Sequence, residues 1–211
     1  MQPARADLAE LLFGHRDDPA LAGGVCTFEG KIYVFGGTPG VWSSANKNVY
    51  VYDPQIDSWT QKADMPYANG GCCIAVVDGT IYLIGGTLSE SSPAVPTVMA
   101  YNPVTESWIQ KADMPTARAY LSACVLDGKI YAIGGFPSPS SGAGSAAVEM
   151  YDPQTNEWTI KASLPAPRGG GSVAALNGMI YYFGGSPSHG VFTNDIWVYD
   201  PSLDEWNRSG E

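Results

Sequence analysis

Residues 70–115 read GGCCIAVVDGTIYLIGGTLSESSPAVPTVMAYNPVTESWIQKADMP. This stretch decides the fold, because four extended segments follow one another in it with turn signals between them. GGCCIAVV is joined to TIYLI by Asp78-Gly79. That dipeptide marks a two-residue hairpin, since both of its residues must take positive φ. Gly85-Gly86 ends the second segment, a longer loop leads to VMAYNP, and SWIQKADM is the fourth. Runs such as IYLI show no polar alternation, so these strands are expected to be buried on both faces between stacked sheets.

The same unit recurs along the chain. Gly-Gly stands at Gly36-Gly37, Gly85-Gly86, Gly134-Gly135 and Gly184-Gly185, in steps of 49, 49 and 50. A Trp follows each pair, at Trp59, Trp108, Trp158 and Trp206. Between them lies Tyr-Asp/Asn-Pro, at Tyr52, Tyr101, Tyr151 and Tyr199. Met65-Pro66, Met114-Pro115 and Leu164-Pro165 close three of the units. Asp127-Gly128 and Asn177-Gly178 repeat the hairpin signal, and Glu29-Gly30 is a poorer match to it. One four-stranded sheet cannot bury both of its faces alone, whereas units stacked radially as a propeller can. The first segments are rich in small residues, as strands crowded at a propeller axis require. Tyr33, Tyr82, Tyr131 and Tyr181 recur in every unit and, with the four Trp residues, are expected in the core.

This order resembles the kelch repeat: a strand ending in Gly-Gly, then Tyr-Asp-Pro, then Trp, with a period near 50 residues. The resemblance covers about residues 21–206. It implies an all-β, kelch-type β-propeller with four four-stranded antiparallel blades, at about 21–66, 67–115, 116–165 and 166–206. Residues 21–211 would form the propeller domain, with the first strand of each blade innermost. Residues 1–20 match no repeat, and Ala6 to Phe13 reads as a short capping helix. Kelch propellers usually close with six or seven blades, and this chain supplies four. A closed four-blade ring, an eight-blade ring of two chains and an open arc therefore compete. The complete repeats and small inner strands slightly favour the closed ring, and a homodimer is the expectation if it does not close. The Arg that often opens the first kelch strand stands at Arg118 and Arg168, with Asn69 and Ala20 in its place in the other two units.

Composition narrows the partners. The chain has 211 residues, a net charge of −10 and 24 aromatic residues. Aromatic and hydrophobic content argues against disorder, and the negative charge repels phosphate backbones, so neither nucleic acid nor an anionic membrane is an expected partner. No apolar run approaches the roughly 18 residues of a membrane span. MQPARADLAELLFGHRDDPA does not read as a signal peptide, because Glu10 interrupts its apolar stretch, so a cytoplasmic location is expected. Cys26, Cys72, Cys73 and Cys124 lack metal spacing. Cys26 and Cys124 fall where the other units carry Ala75 and Ala174, a pattern of small core residues rather than nucleophiles. The Asx of each Tyr-Asx-Pro is expected to cap its turn, not to hold an ion.

Strand connectivity puts the short, uniform turns between strands 1 and 2 and between strands 3 and 4 at one end of the blades. The longer, dissimilar loops between strands 2 and 3 share the other end with the blade-to-blade links. Varied loops on a rigid scaffold are the usual place for recognition. The ligand-binding candidates on that end are Trp42, Tyr67, Asn69, Glu90, Arg118, Tyr120, Phe136, Arg168, His189 and Phe192. Arg118 and Arg168, at equivalent positions of adjacent blades, would either grip a carboxylate bidentately or brace the blades against carbonyls and acidic side chains. Trp42 lies outside the repeat pattern and is a candidate anchor. No catalytic residue, metal site or cofactor is assigned: the only histidines are His15 and His189, too few for a metal centre within the repeats.

The expectation is a non-catalytic kelch scaffold that presents variable loops to a protein segment or a glycan. The alternative is a sugar mutarotase or epimerase like the bacterial sialic-acid kelch enzymes, with Glu90 and His189 as the acid/base pair and an Arg on the sugar carboxylate.

Overall fold

The computed structural model describes residues 22–37, 45–89, 92–188 and 190–209. The expected short helix at Ala6 to Phe13 lies outside them. The described residues form sixteen strands in four antiparallel sheets of four, each paired in chain order. Blade 1 holds β1 (Ala22–Phe28), β2 (Lys31–Gly37), β3 (Val49–Asp53) and β4 (Ser58–Gln61). Blade 2 holds β5 (Cys73–Val77), β6 (Thr80–Ile84), β7 (Val98–Asn102) and β8 (Ser107–Gln110). Blade 3 holds β9 (Ser122–Leu126), β10 (Lys129–Ile133), β11 (Val148–Asp152) and β12 (Glu157–Lys161). Blade 4 holds β13 (Ser172–Leu176), β14 (Met179–Phe183), β15 (Ile196–Asp200) and β16 (Glu205–Arg208). No helix among the described residues is long and apolar enough to cross a membrane.

Turn chemistry sets the hairpins. Asp78, Asp127 and Asn177 have φ of 47°, 50° and 52°, and each is followed by a glycine at positive φ, as a two-residue turn between twisted strands demands. Glu29-Gly30 takes the same conformation despite its poorer sequence, with φ of 47° and 73°. The Asx side chains cap the following turns as expected. Asp53, Asn102, Asp152 and Asp200 each accept a hydrogen bond from the amide two residues on, at 2.9 Å.

The cores lie between blades, not within them. Alternate residues of each strand enter different interfaces. Cys72 joins the cluster between blades 1 and 2, while Cys73 joins the one between blades 2 and 3. Each interface pairs the trailing face of one blade, bearing a small residue and a Tyr on neighbouring strands (Ala75 opposite Tyr82), with the leading face of the next. The leading face presents Ile130 and the Tyr151–Trp158 pair, whose rings lie 5.1 Å apart. Full burial of Ile81, Ile130 and Ile180, one per interface, contributes about 1.5–3 kcal/mol each.

The expected ring closure is not observed. There are three inter-blade clusters among the described residues, and the inner strands pack in an open series, β1 on β5, β5 on β9 and β9 on β13. Tyr33, Tyr82 and Tyr131 are core as expected, but Tyr181 is only half-buried, because no blade covers its face. The four Trp residues are also half-buried rather than core. They sit at the seams, where Trp158 and Trp206 donate their indole N–H to Ala112 O and Ala162 O of the preceding blade, both at 2.9 Å.

The turns between strands 3 and 4 fasten the same seams. Glu106, Asn156 and Asp204 hold left-handed positions, with φ of 54°, 59° and 54°. Their side chains accept the amide N–H of Ala63, Ala112 and Ala162 in the preceding blade, at 3.1, 2.9 and 2.9 Å.

Candidate functional site

At the end of the blades opposite these turns, the inner strands begin around an axial cavity of about 350 Å³. Its wall is formed by Gly23 to Val25, Cys72 to Ile74, Leu121 to Ala123 and Gly171 to Val173, one short segment from each blade. Gly, Ser, Cys and Ala make up most of this wall beside Val25, Ile74, Leu121 and Val173, and Ser122 and Ser172 are its hydroxyl side chains. The mouth is braced from blade to blade. Tyr120 N donates to Gly71 O at 2.7 Å, Gly170 N to Tyr120 O at 2.9 Å, and Ser122 Oγ to Gly171 O at 2.6 Å. Tyr120 holds φ of 52° where the equivalent residues of the two adjacent blades are Gly71 and Gly170. A bulky residue in that conformation is uncommon and costs on the order of 1 kcal/mol or more.

The loops around the mouth are tied to one another. Ala45 N donates to Leu88 O (3.4 Å), Ala94 N to Pro137 O (2.9 Å) and Gly144 N to Pro187 O (2.9 Å), each from one blade's loop to the next. Bridges such as Ala119↔Phe136 and Gly169↔Ser186 join the links to the loops of their own blades. The described parts of these loops are therefore held together across the blades, which lowers the entropic cost of binding there.

The sequence candidates divide by burial. Arg118 is enclosed: Nη2 pairs with Glu149 Oε2 at 2.7 Å, and Nη1 donates to Gly134 O at 2.6 Å and Ala147 O at 3.0 Å. Burial presses its guanidinium below its ordinary pKa, and Glu149 holds it up. Arg168 pairs with Asp195 at 2.6 Å and also donates to Thr193 Oγ1. Burial would raise the Asp195 carboxyl, but bonds from Trp197 and Thr193 and the charge of Arg168 hold it below the usual range. Asn69 is buried and donates to Gly85 O at 2.9 Å, the carbonyl equivalent to those Arg118 and Arg168 reach at Gly134 and Gly184. These three side chains brace Gly-Gly ends, which for the two Arg residues is one of the two readings the sequence left open.

Phe136 is buried with its ring over Gly169, and Tyr120 is half-buried over Gly71. Tyr67 is half-buried, and its hydroxyl is pushed up to about 12 by burial. Phe192, 81% exposed, is the candidate that stands in solvent. Trp42, Glu90 and His189 lie outside the described residues. The axial residues Ser122, Ser172 and Cys72 were not among the candidates. Their only sequence signal was the run of small residues, which crowding at the axis already explained.

A family model described as the KLHDC2/KLHL20/DRC7 Kelch-repeats domain matches residues 22–210. The chain is a kelch-repeat protein. No curated protein sequence matches it. Among solved structures, the kelch chain is similar to the one titled "Structure of YjhT", with 22% identity and a TM-score of 0.75. The match covers 92% of the kelch chain and 67% of that chain. At that identity the likeness concerns the fold.

Proposed function

We propose that this kelch chain is a binding module whose loop face, centred on the axial cavity, takes a protein segment or a glycan. The observation that carries the reading is the 350 Å³ cavity at the loop end of the inner strands, ringed by loops already hydrogen-bonded to one another. Its wall offers backbone amides and small hydroxyls, groups suited to peptide carbonyls or sugar hydroxyls. Phe192, in the loop between β14 and β15 of blade 4, adds an exposed ring. The enzymatic alternative needs a guanidinium free for a sugar carboxylate, and both Arg118 and Arg168 are engaged in ion pairs, which favours binding over catalysis.

The test is a labelled chain screened against glycan and peptide arrays, with Phe192→Ala and Ser122→Tyr as site variants and Ile160→Ala, on the outer edge strand, as control. Hits lost in the site variants and kept in the control are expected. Hits equally strong in all four proteins would remove the proposed face. Acceleration of sugar anomer exchange in proton NMR would instead establish the enzymatic reading.

A further inference from the structure

At its turn end, the seam between blades 1 and 2 is built differently from the other two. Between blades 2 and 3, Asn156 Oδ1 accepts both the Ala112 amide and the Tyr151 hydroxyl, and Trp158 donates to Ala112 O. Between blades 3 and 4, Asp204 and Trp206 make the same three bonds. Between blades 1 and 2, the longer Glu106 carries its carboxylate to Lys62 Nζ at 2.8 Å and to the Ala63 amide at 3.1 Å. The Tyr101 hydroxyl and the Trp108 indole N–H, both buried, are left without a hydrogen-bond partner among the described residues. The same seam holds a cleft of about 280 Å³, walled by blade 1 and by Pro103 and Val104 of blade 2. That volume is close to the roughly 300 Å³ at which ligand pockets begin, and it suits a molecule of amino-acid size.

The cleft combines aliphatic and charged groups. Ile56 and Val104 line it from the two blades and are 71% and 81% exposed. The corresponding pairs are polar, Thr105 with Gln154 in the second seam and Thr155 with Ser202 in the third. Tyr33 also lines the cleft, and although the residue is 6% exposed, its hydroxyl makes no hydrogen bond among the described residues. Burial raises the pKa of that hydroxyl, the charges of Lys62 and Lys31 oppose the rise, and Glu29 adds to it, so all three charges act on it. Asp53 takes one proton of Lys31 and Glu106 one of Lys62, both at 2.8 Å. An ammonium has three donors, so each lysine keeps two. The Glu29 carboxylate has no ion pair among the described residues. A lone anion here would meet Glu29, Asp53 and Glu106, and a lone cation would meet both lysines. A zwitterion answers both signs and adds no net charge.

We propose that this cleft binds a small zwitterion with an aliphatic body, such as a free branched-chain amino acid. Its carboxylate takes the spare donors of Lys31 and Lys62 with the Tyr33 hydroxyl, its ammonium pairs with Glu29, and its side chain lies against Ile56 and Val104. The site is at the opposite end of the blades from the loop face, so it does not depend on what binds there.

The test titrates the nitrogen-15-labelled full chain at pH 7 and follows amide shifts with four probes. These are leucine, glycine without the aliphatic body, 4-methylpentanoate without the ammonium, and 3-methylbutylamine without the carboxylate. Leucine is expected to shift amides around Lys31, Ile56 and Val104, and each other probe to bind at least about tenfold more weakly. Ile56→Thr with Val104→Gln, which copies the second seam at two exposed positions, should weaken leucine about tenfold and leave Tm unchanged. Lys62→Gln should weaken leucine but not 3-methylbutylamine, and Glu29→Gln should weaken leucine but not 4-methylpentanoate. Charge variants that weaken every probe alike would show a purely structural role and overturn the proposal. So would glycine, the acid or the amine binding as tightly as leucine, shifts confined to other parts of the chain, or no shift with leucine up to about 10 mM.

Discussion

Arg118 Nη2 lies 2.7 Å from Glu149 Oε2, with the two side chains 0% and 2% exposed. Blade 2 carries Asn69 and Met99 at the equivalent positions, so one fold offers both an ionic and a neutral solution to the same site. Removing one partner leaves a buried, uncompensated charge. Arg118→Ala is therefore expected to cost roughly 3–5 kcal/mol. The double change Arg118→Asn with Glu149→Met, copying blade 2, should recover most of that loss. Urea denaturation of the single and double variants measures both. A double variant no better than Arg118→Ala would mean that the guanidinium's carbonyl contacts, not the charge pair, dominate.

Gly85 and Gly79 both have positive φ but differ in their surroundings. A Cβ on Gly85 would lie 2.3 Å from Arg118 O, whereas one on Gly79 would meet nothing within 4 Å. Gly79→Ala should cost only the left-handed strain, about 1–2 kcal/mol. Gly85→Ala should cost about 1–3 kcal/mol more, because the backbone of the next blade must move. Equal losses of Tm in the two variants would contradict the close packing of the Gly-Gly end.

Acid should loosen the seams. Lys62 and the Ala63 amide hold the Glu106 carboxyl below its ordinary range. The Tyr199 hydroxyl and the Ala162 amide do the same for Asp204. A carboxyl whose folded pKa is depressed stabilises the fold above its unfolded pKa, near 4, and that contribution is lost as pH falls through the lowered folded value. Tm should therefore drop as pH is lowered from about 5 towards 2. Asp204→Asn keeps the bond geometry, as Asn156 does in blade 3, and should flatten part of the drop. A pH–Tm curve unchanged by this substitution would exclude the Asp204 seam as a source.

The thiols should be inert in the folded state. Burial pushes Cys26 and Cys124 up to about 12 and Cys72 up to about 11, and it raises Cys73 as well. At pH near 8 the thiolate fraction of each is about one in a thousand or less. Ellman's reagent should find four fast thiols only after denaturation. A fast-reacting thiol in the native chain would revive a chemical role at the axis.

The site was less legible than the fold, and particular residues show why. Arg118 and Arg168 recur at equivalent positions, which suits a grip on a ligand as well as a brace. Their partners Glu149 and Asp195 lie 31 and 27 residues away, beyond any local pattern. Ser122 and Ser172 line the axial cavity, yet in sequence they are only small residues among other small residues. The seam bonds of Glu106, Asn156 and Asp204 were hidden for the same reason: each side chain sits in a local turn but bonds more than 40 residues upstream.

What the chain's own sequence determined was everything local and periodic. The hairpin turns follow from residues that tolerate positive φ, the strands from apolar runs, and the four blades from a period near 49 residues. Tertiary structure alone decided how those blades meet. Closure depends on the angle between successive blades, which arises from side-chain packing at three interfaces and leaves no mark on any one repeat. Among the described residues Phe183 and Val25 stay 40% and 51% exposed, where sequence symmetry slightly favoured a closed ring.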